Sequence, residues 1–321
     1  MSVSFTNLDE ALFEGAGATK RDLVDYLDAM AERILPELRD RPLSVIRAIR
    51  GQPPFMQKNL PAYAPEWIQS VSLWAEASRR EVRYALCNDR DTLLWFANQR
   101  AVEYHPTLVL AGHWDEPTHM VLDLDPPAAS GGFGLAVRAA HLVHQVLADA
   151  GLEGAVKTSG AKGIHVFVPV AGTSAGDLAA AGRALAARGE RLAPDLATTA
   201  FMKEDRGGRV FLDATRTGWA TVVAAYSPRL RPGVPVSFPV RWEDLDQVKP
   251  EELNLRTAVR LLEQRPGWAE LMPAAQTVSP ALIEEGHSIP IARVQAMHEG
   301  KRRARADRLK RSPRSGGPAG P

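Results

Sequence analysis

The chain has 321 residues, 45% hydrophobic and 24% charged, with one cysteine and a formal net charge of +1. That length can bury one large core or two smaller ones. Lone Cys87 excludes an internal disulfide and fits a reducing cytoplasm, and no apolar run is long enough to span a bilayer. The first ten residues lack the basic and apolar regions of a signal peptide, so a soluble cytoplasmic protein without a membrane partner is expected. Residues 301–314 hold eight Lys or Arg against Asp307, a charge of +7, which leaves −6 on the remainder. Bulk charge therefore does not make the body a polyanion binder, and any nucleic-acid groove must come from local placement.

Near the N-terminus, Thr19 and Asp22 have the spacing of a capping box, and Leu23, Tyr26, Leu27, Met30 and Ile34 follow at helical spacing. Trp67, Trp74 and Trp95 lie among apolar residues and are expected in the core. The segment His119-Met-Val-Leu-Asp-Leu-Asp-Pro-Pro127 reads as a strand that stops at two prolines, which cannot donate to a sheet ladder. Alternate side chains of a strand share a face, so Asp123 and Asp125 point the same way and can hold a divalent metal together. His119 shares that face by parity but is expected to be structural. Leu135 to Ala150 reads as a helix across the sheet, closed by Gly151. Its His141 and His144 lack further ligands nearby and are expected to be solvated.

Ala155 to Val170 reads as two strands joined at Ser159-Gly-Ala-Lys-Gly163. The glycines allow close approach of backbone N–H groups to an anion, while Lys157, Lys162 and His165 add positive charge on or beside the turn. Ser174 and Asp177 then open an alanine-rich helix running to about Leu192. Gly208-Arg-Val-Phe-Leu-Asp213 is another short strand, with Val210 and Leu212 on one face and Phe211 and Asp213 on the other. Paired near the first acidic strand, it makes a cluster of three carboxylates, which bound cations would keep ionised. Two metals roughly 3.5–4 Å apart form the usual clamp for in-line attack at phosphorus. There is no P-loop motif. Strands and helices mixed around a hairpin argue for an α+β fold.

Four segments together carry a resemblance: Asn98-Gln-Arg-Ala-Val-Glu-Tyr-His105, Val121-Leu-Asp-Leu-Asp-Pro126, Lys157-Thr-Ser-Gly-Ala-Lys-Gly-Ile-His165 and Arg209-Val-Phe-Leu-Asp213. In this order they resemble the polymerase domain of bacterial ligase D, a member of the archaeo-eukaryotic primase superfamily that serves nonhomologous end joining. The likeness continues through Thr221 to Arg229 and Pro235 to Glu243, and covers the chain from about Asn7 to residue 270. It implies a primase-like catalytic core of mixed and antiparallel sheets flanked by helices, spanning residues 1–298, followed by a basic tail at 299–321. That tail, rich in Gly, Pro and Ser at its end, is expected to be disordered or to touch DNA nonspecifically.

By that resemblance Asp123, Asp125 and Asp213 are catalytic and hold two ions, Mn2+ or Mg2+. His105, Ser159, Lys162, His165, Arg206 and Arg229 fall where the family binds the incoming NTP or dNTP. Phe55 is placed to stack on template, with Lys58 beside it, and Asn7 and Lys20 to grip a 5′-phosphate. Two positions depart from the family pattern. Thr217 stands where an Asn is common, and Glu10 replaces a lysine in the 5′-phosphate region, where a carboxylate opposes the ligand. The implied activity is template-directed nucleotidyl transfer, filling gaps or extending ends at DNA breaks beside a Ku-like end binder and a separate ligase. The chain contains no Lys-x-Asp-Gly ligase nucleophile. The alternatives are a primase that starts strands de novo and a DNA-end binding module without turnover.

Overall fold

Two β-sheets organise the protein in a computed structural model, which describes residues 3–75, 79–128, 131–216, 218 and 220–290. The N-terminal part contains α1 (Lys20–Ala29), α2 (Ala31–Leu38), β1 (Leu43–Arg47), β2 (Phe55–Gln57), β3 (Ser70–Ala75), β4 (Arg80–Ala85), α3 (Arg90–Asn98) and β5 (Ala101–Pro106). The capping box closes as expected: Thr19 Oγ1 accepts from the Asp22 amide at 3.2 Å, and Asp22 accepts from the Thr19 amide at 2.7 Å. The apolar stripe that follows is buried, but the helix breaks at Met30 into α1 and α2. Antiparallel partners β2, β4 and β5 surround β1, and β3 forms the outer edge on β4. Trp95 is buried in α3, whereas Trp74 corrects its expectation: it lies on edge strand β3 and is 62% exposed.

The second sheet begins with β6 (His119–Asp125) and continues after α4 (Gly132–Asp149) with β7 (Ala155–Thr158) and β8 (Ile164–Pro169). Beyond α5 (Ala175–Leu192) come β9 (Ala197–Thr198), β10 (Val210–Arg216) and β11 (Pro239–Val240). The strand order is β11-β7-β8-β6-β10-β9, antiparallel except for β9 on β10. The C-terminal elements are α6 (Ala258–Leu262), α7 (Trp268–Leu271) and α8 (Pro280–Ser288). The fold is α+β. Both long helices meet their sequence signals, α4 ending before Gly151 in the left-handed conformation and α5 capped by Ser174 Oγ on the Asp177 amide at 3.2 Å.

One face of the second sheet is covered by α4 and α5. Gly182 and Gly189 let α5 lie close on Ala214 and Leu212, where a larger residue at 189 would meet the Leu212 side chain. Leu122, Leu124, Val166 and Leu212 are buried, and parity places the odd-numbered acids of β6 and β10 on the opposite face. Thr217 and the basic tail lie outside the described residues, as does the expected boundary at 298. No helix among the described residues is long and apolar enough to cross a membrane.

Candidate active site

Strand register assembles the site. Asp123 is the direct partner of Asp213 across β6 and β10 and of His165 across β6 and β8, while His165 is the partner of Lys157 across β7 and β8. Directly opposed residues of antiparallel strands share a face. Asp213, Asp123, His165 and Lys157 therefore form one row, with Asp125 two residues along on the same side.

Lys157 is fully buried, so it does not offer charge to the turn as expected from sequence. Its Nζ donates to Val223 O at 2.9 Å and Ser237 Oγ at 2.6 Å, and lies 3.0 Å from His165 Nδ1. His165 Nε2 lies 3.3 Å from Asp123 Oδ1. Burial, reinforced by Lys157, lowers the His165 pKa to about 4. Burial and neighbouring Arg229 hold the Lys157 pKa well below its ordinary value. Burial would raise the Asp123 carboxyl, but His165, Arg216 and Lys157 outweigh it and bring it down. Asp125 is raised by burial and by the charges of Asp123 and Asp213, against the pull of Arg206 and Lys162.

Arg216 is a site residue that sequence reasoning missed. Its Nε lies 3.3 Å from Asp213 Oδ2 and 3.7 Å from Asp123 Oδ2. Thr215 donates to Asp213 Oδ1 through both its amide (2.9 Å) and its hydroxyl (2.6 Å). With oxygens turned to these donors, no group of three or more His, Cys, Asp or Glu among the described residues is arranged to close on a metal ion.

The turn after β7 is also more self-contained than expected. Ser159 Oγ accepts from the amides of Ala161 and Gly163, each at 3.2 Å, so those two N–H groups serve the turn and not an anion. A side chain at Gly163 would stand 2.6 Å from Leu124 O, and one at Gly160 would collide with Arg229. Both glycines therefore permit close packing. Lys162 is exposed at the tip. Arg206, on a short 3-10 turn, stacks its guanidinium 4.0 Å from the Phe211 ring centroid and donates to Ala200 O and Phe201 O.

A second missed residue, Glu103, faces His105 and Arg229. His105 Nε2 lies 2.8 Å and Arg229 Nε 3.0 Å from its Oε2, and the Leu230 amide donates to its Oε1 at 2.9 Å. Burial would raise the Glu103 carboxyl, but these partners bring it down to about 2. Arg229 also donates through Nη1 to Ser159 O. Its position was readable in principle, because residues 103 and 105 share a strand face.

The residues expected to meet DNA lie on the N-terminal part. Phe55 is 38% exposed on β2, Lys58 is exposed, and Asn7 is exposed in a left-handed backbone conformation. Lys20 departs from its expected role: it is 3% exposed and donates to Thr6 O at 2.6 Å. Glu10 is not an isolated charge, since Arg100 lies 3.4 Å and Arg50 4.0 Å from it. All three line a groove of about 880 Å³ that also includes Arg231 and Gln52.

A model of the LigD primase-polymerase domain matches residues 19–268. The chain belongs to this family. It is 31% identical over 249 residues to the bifunctional nonhomologous end joining protein LigD of Bacillus subtilis, covering 76% of this chain and 39% of that protein. It is 32% identical over 264 residues to the multifunctional LigD of Mycolicibacterium smegmatis, covering 79% of this chain and 34% of the relative. The chain thus spans about a third to two fifths of these relatives. The polymerase domain of Mycobacterium tuberculosis ligase D, solved in complex with DNA, is similar with a TM-score of 0.76 and 28% identity, covering 84% of this chain and 98% of that one. Membership makes the chain a nucleotidyltransferase domain of a metal-dependent family. The donor chemistry suits such a metal: three carboxylates lie on one sheet face, and burial together with their mutual repulsion raises Asp125. Hard oxygen donors of this kind favour a divalent cation.

Proposed function

We propose that the protein adds nucleotides, directed by a template, to a primer 3′-hydroxyl, filling short gaps or extending ends at DNA double-strand breaks during nonhomologous end joining. The observation that carries the proposal is the register of Asp123 opposite Asp213, with Asp125 on the same face and Lys162 and Arg206 near enough to pull on its charge. Carboxylates adjoining cations suit attack by a hydroxyl on a phosphate whose leaving group is a polyanion.

Asp123, Asp125 and Asp213 are assigned to two ions, manganese or magnesium, which when bound lower the pKa of the 3′-hydroxyl and offset charge on the departing pyrophosphate. Arg216 must yield its place between Asp123 and Asp213 for these oxygens to serve as ligands. His165 orients Asp123, while Lys162, Arg206, Arg229, His105 and the free hydroxyl hydrogen of Ser159 meet the NTP or dNTP. Phe55 stacks on template, a contact tolerant of sequence, with Lys58 and Asn7 along the strand. Lys20 reaches a 5′-phosphate only by leaving Thr6 O, so a downstream 5′-phosphate is expected to add little. A Ku-like end binder and a separate ligase complete the proposed setting.

The test is extension of a gapped duplex with manganese, comparing ribo- and deoxynucleotides with and without a downstream 5′-phosphate. The parent protein is expected to extend the primer, whereas Asp123→Ala and Asp213→Ala fall to background and still shift DNA in a gel. Undiminished extension by either variant would refute the metal assignment.

A further inference from the structure

We propose that Glu103 is a positioning residue for nucleotide capture, holding the His105 imidazole and the Arg229 guanidinium as a rigid pair aimed at the triphosphate. This rests on the nucleotidyl transfer proposed above.

His105 comes from β5 and Arg229 from the segment before β11. Glu103 is 4% exposed, and its Oε2 faces both His105 Nε2 and Arg229 Nε while its Oε1 accepts from the Leu230 amide. The same two stretches are joined nearby: the Tyr104 amide donates to Ser227 Oγ at 2.9 Å and the Ala224 amide to Tyr104 O at 2.9 Å. A carboxylate that hydrogen-bonds His105 and the Leu230 amide and is ion-paired with Arg229 ties the two elements together.

The consequences follow from hydrogen-bond inventory. An ionised Glu103 only accepts, so His105 Nε2 carries its proton. Arg229 keeps Nε in ion-pair contact with Glu103 and donates through Nη1 to Ser159 O, which leaves Nη2 to meet an oxyanion. Through Arg229, Glu103 also reaches the 159–163 turn. Anchored on one buried anion, His105 and Arg229 keep their geometry, and the Arg229 charge is held back from the acids of the metal face, where it would cancel the charge the reaction needs. Holding them in advance removes a cost that binding would otherwise carry.

The test compares the full chain with Glu103→Gln, Glu103→Asp, Arg229→Ala and the Gln/Ala double variant. ATP with manganese is titrated by calorimetry, and primer extension supplies KM and kcat separately. Glutamine has the right shape but turns an NH2 group toward donors, so Glu103→Gln is expected to weaken ATP binding roughly 10- to 100-fold, chiefly in KM. Glu103→Asp keeps the charge on a shorter arm and should recover part of the loss. The double variant should lose clearly less than the product of the two single losses, because the Glu103–Arg229 interaction is already gone in Arg229→Ala and only the part carried through His105 remains. Parent-like affinity in Glu103→Gln, or losses that multiply in the double variant, would overturn the proposal. Failure of the unaltered protein to bind ATP would instead strike the nucleotidyl-transfer assignment. Should Glu103→Gln not fold, 15N spectra of the histidines in the parent decide: a protonated Nε2 at His105 whose resonance shifts with ATP is expected, and an unresponsive one overturns the inference.

Discussion

Arg216 stands against Asp213, Nε to Oδ2 at 3.3 Å, three residues further along the same strand. A register shift between positions 213 and 216 turns this side chain back over the acids. The guanidinium therefore acts as a resident counter-ion, and being 41% exposed it can swing away. Arg216→Gln is expected to lower the manganese concentration needed for half-maximal extension by about two- to fivefold, the scale of one partly solvated charge contact. A metal titration of extension rate checks it, and an unchanged or higher requirement would show that Arg216 does not compete for the carboxylates.

The acids were legible in the sequence because a strand has period two: Asp123 with Asp125, and Phe211 with Asp213, fall on the faces that parity assigns. The capping box at Thr19 and the N-cap at Ser174 were legible because their bonds span only three residues. Arg216 was not, since the bulge after Asp213 breaks the parity on which face assignment depends. Lys157 and Lys20 misled for another reason. A lysine reads as exposed charge unless buried acceptors exist, and those acceptors, Val223, Ser237 and Thr6, come from other parts of the chain. Trp74 misled because composition does not say which strand will be an edge.

Glu37 on α2 lines a small cavity with Arg41, His119 and Phe167 behind the active-site row. Burial raises its carboxyl to about 7, against the pull of Arg41, Lys157 and Trp268. The folded state keeps this proton after the unfolded chain has lost it, so the group's contribution to stability falls as pH rises from about 4.5 to about 7 and is then constant. The difference amounts to at most about 3 kcal/mol. Half-buried His119, lowered to about 3 chiefly by desolvation, works oppositely: its contribution is complete above the ordinary histidine pKa and is lost as acid charges the unfolded chain. Comparing melting temperatures of Glu37→Gln and the parent removes the common histidine effect. The variant should gain stability relative to the parent between pH 5 and 7.5, whereas a pH-independent difference would mean that Glu37 does not titrate there.

Gly163 closes the turn that carries Lys162. A Cβ at this position would lie 2.6 Å from Leu124 O, a backbone oxygen of β6 that cannot swing aside. Gly163→Ala is expected to cost about 1–3 kcal/mol by overpacking and to displace the turn from the acids. Urea denaturation measures the first effect and the KM for nucleotide the second. A variant with parent stability and parent KM would mean that the strands separate readily at this point.

Phe55 offers the cleanest separation of binding from folding. Its ring is 38% exposed on β2, with the Arg47 guanidinium 5.9 Å from its centroid. Because the ring is far from fully buried, Phe55→Ala should leave the melting temperature within about two degrees of the parent, as for a surface substitution. Loss of base stacking should instead cost about 1–3 kcal/mol in affinity for a gapped duplex. Fluorescence anisotropy at fixed salt measures that affinity. Phe55→Tyr, which keeps the aromatic face, should restore it, whereas equal affinity of the alanine variant and the parent would place template stacking elsewhere on this sheet.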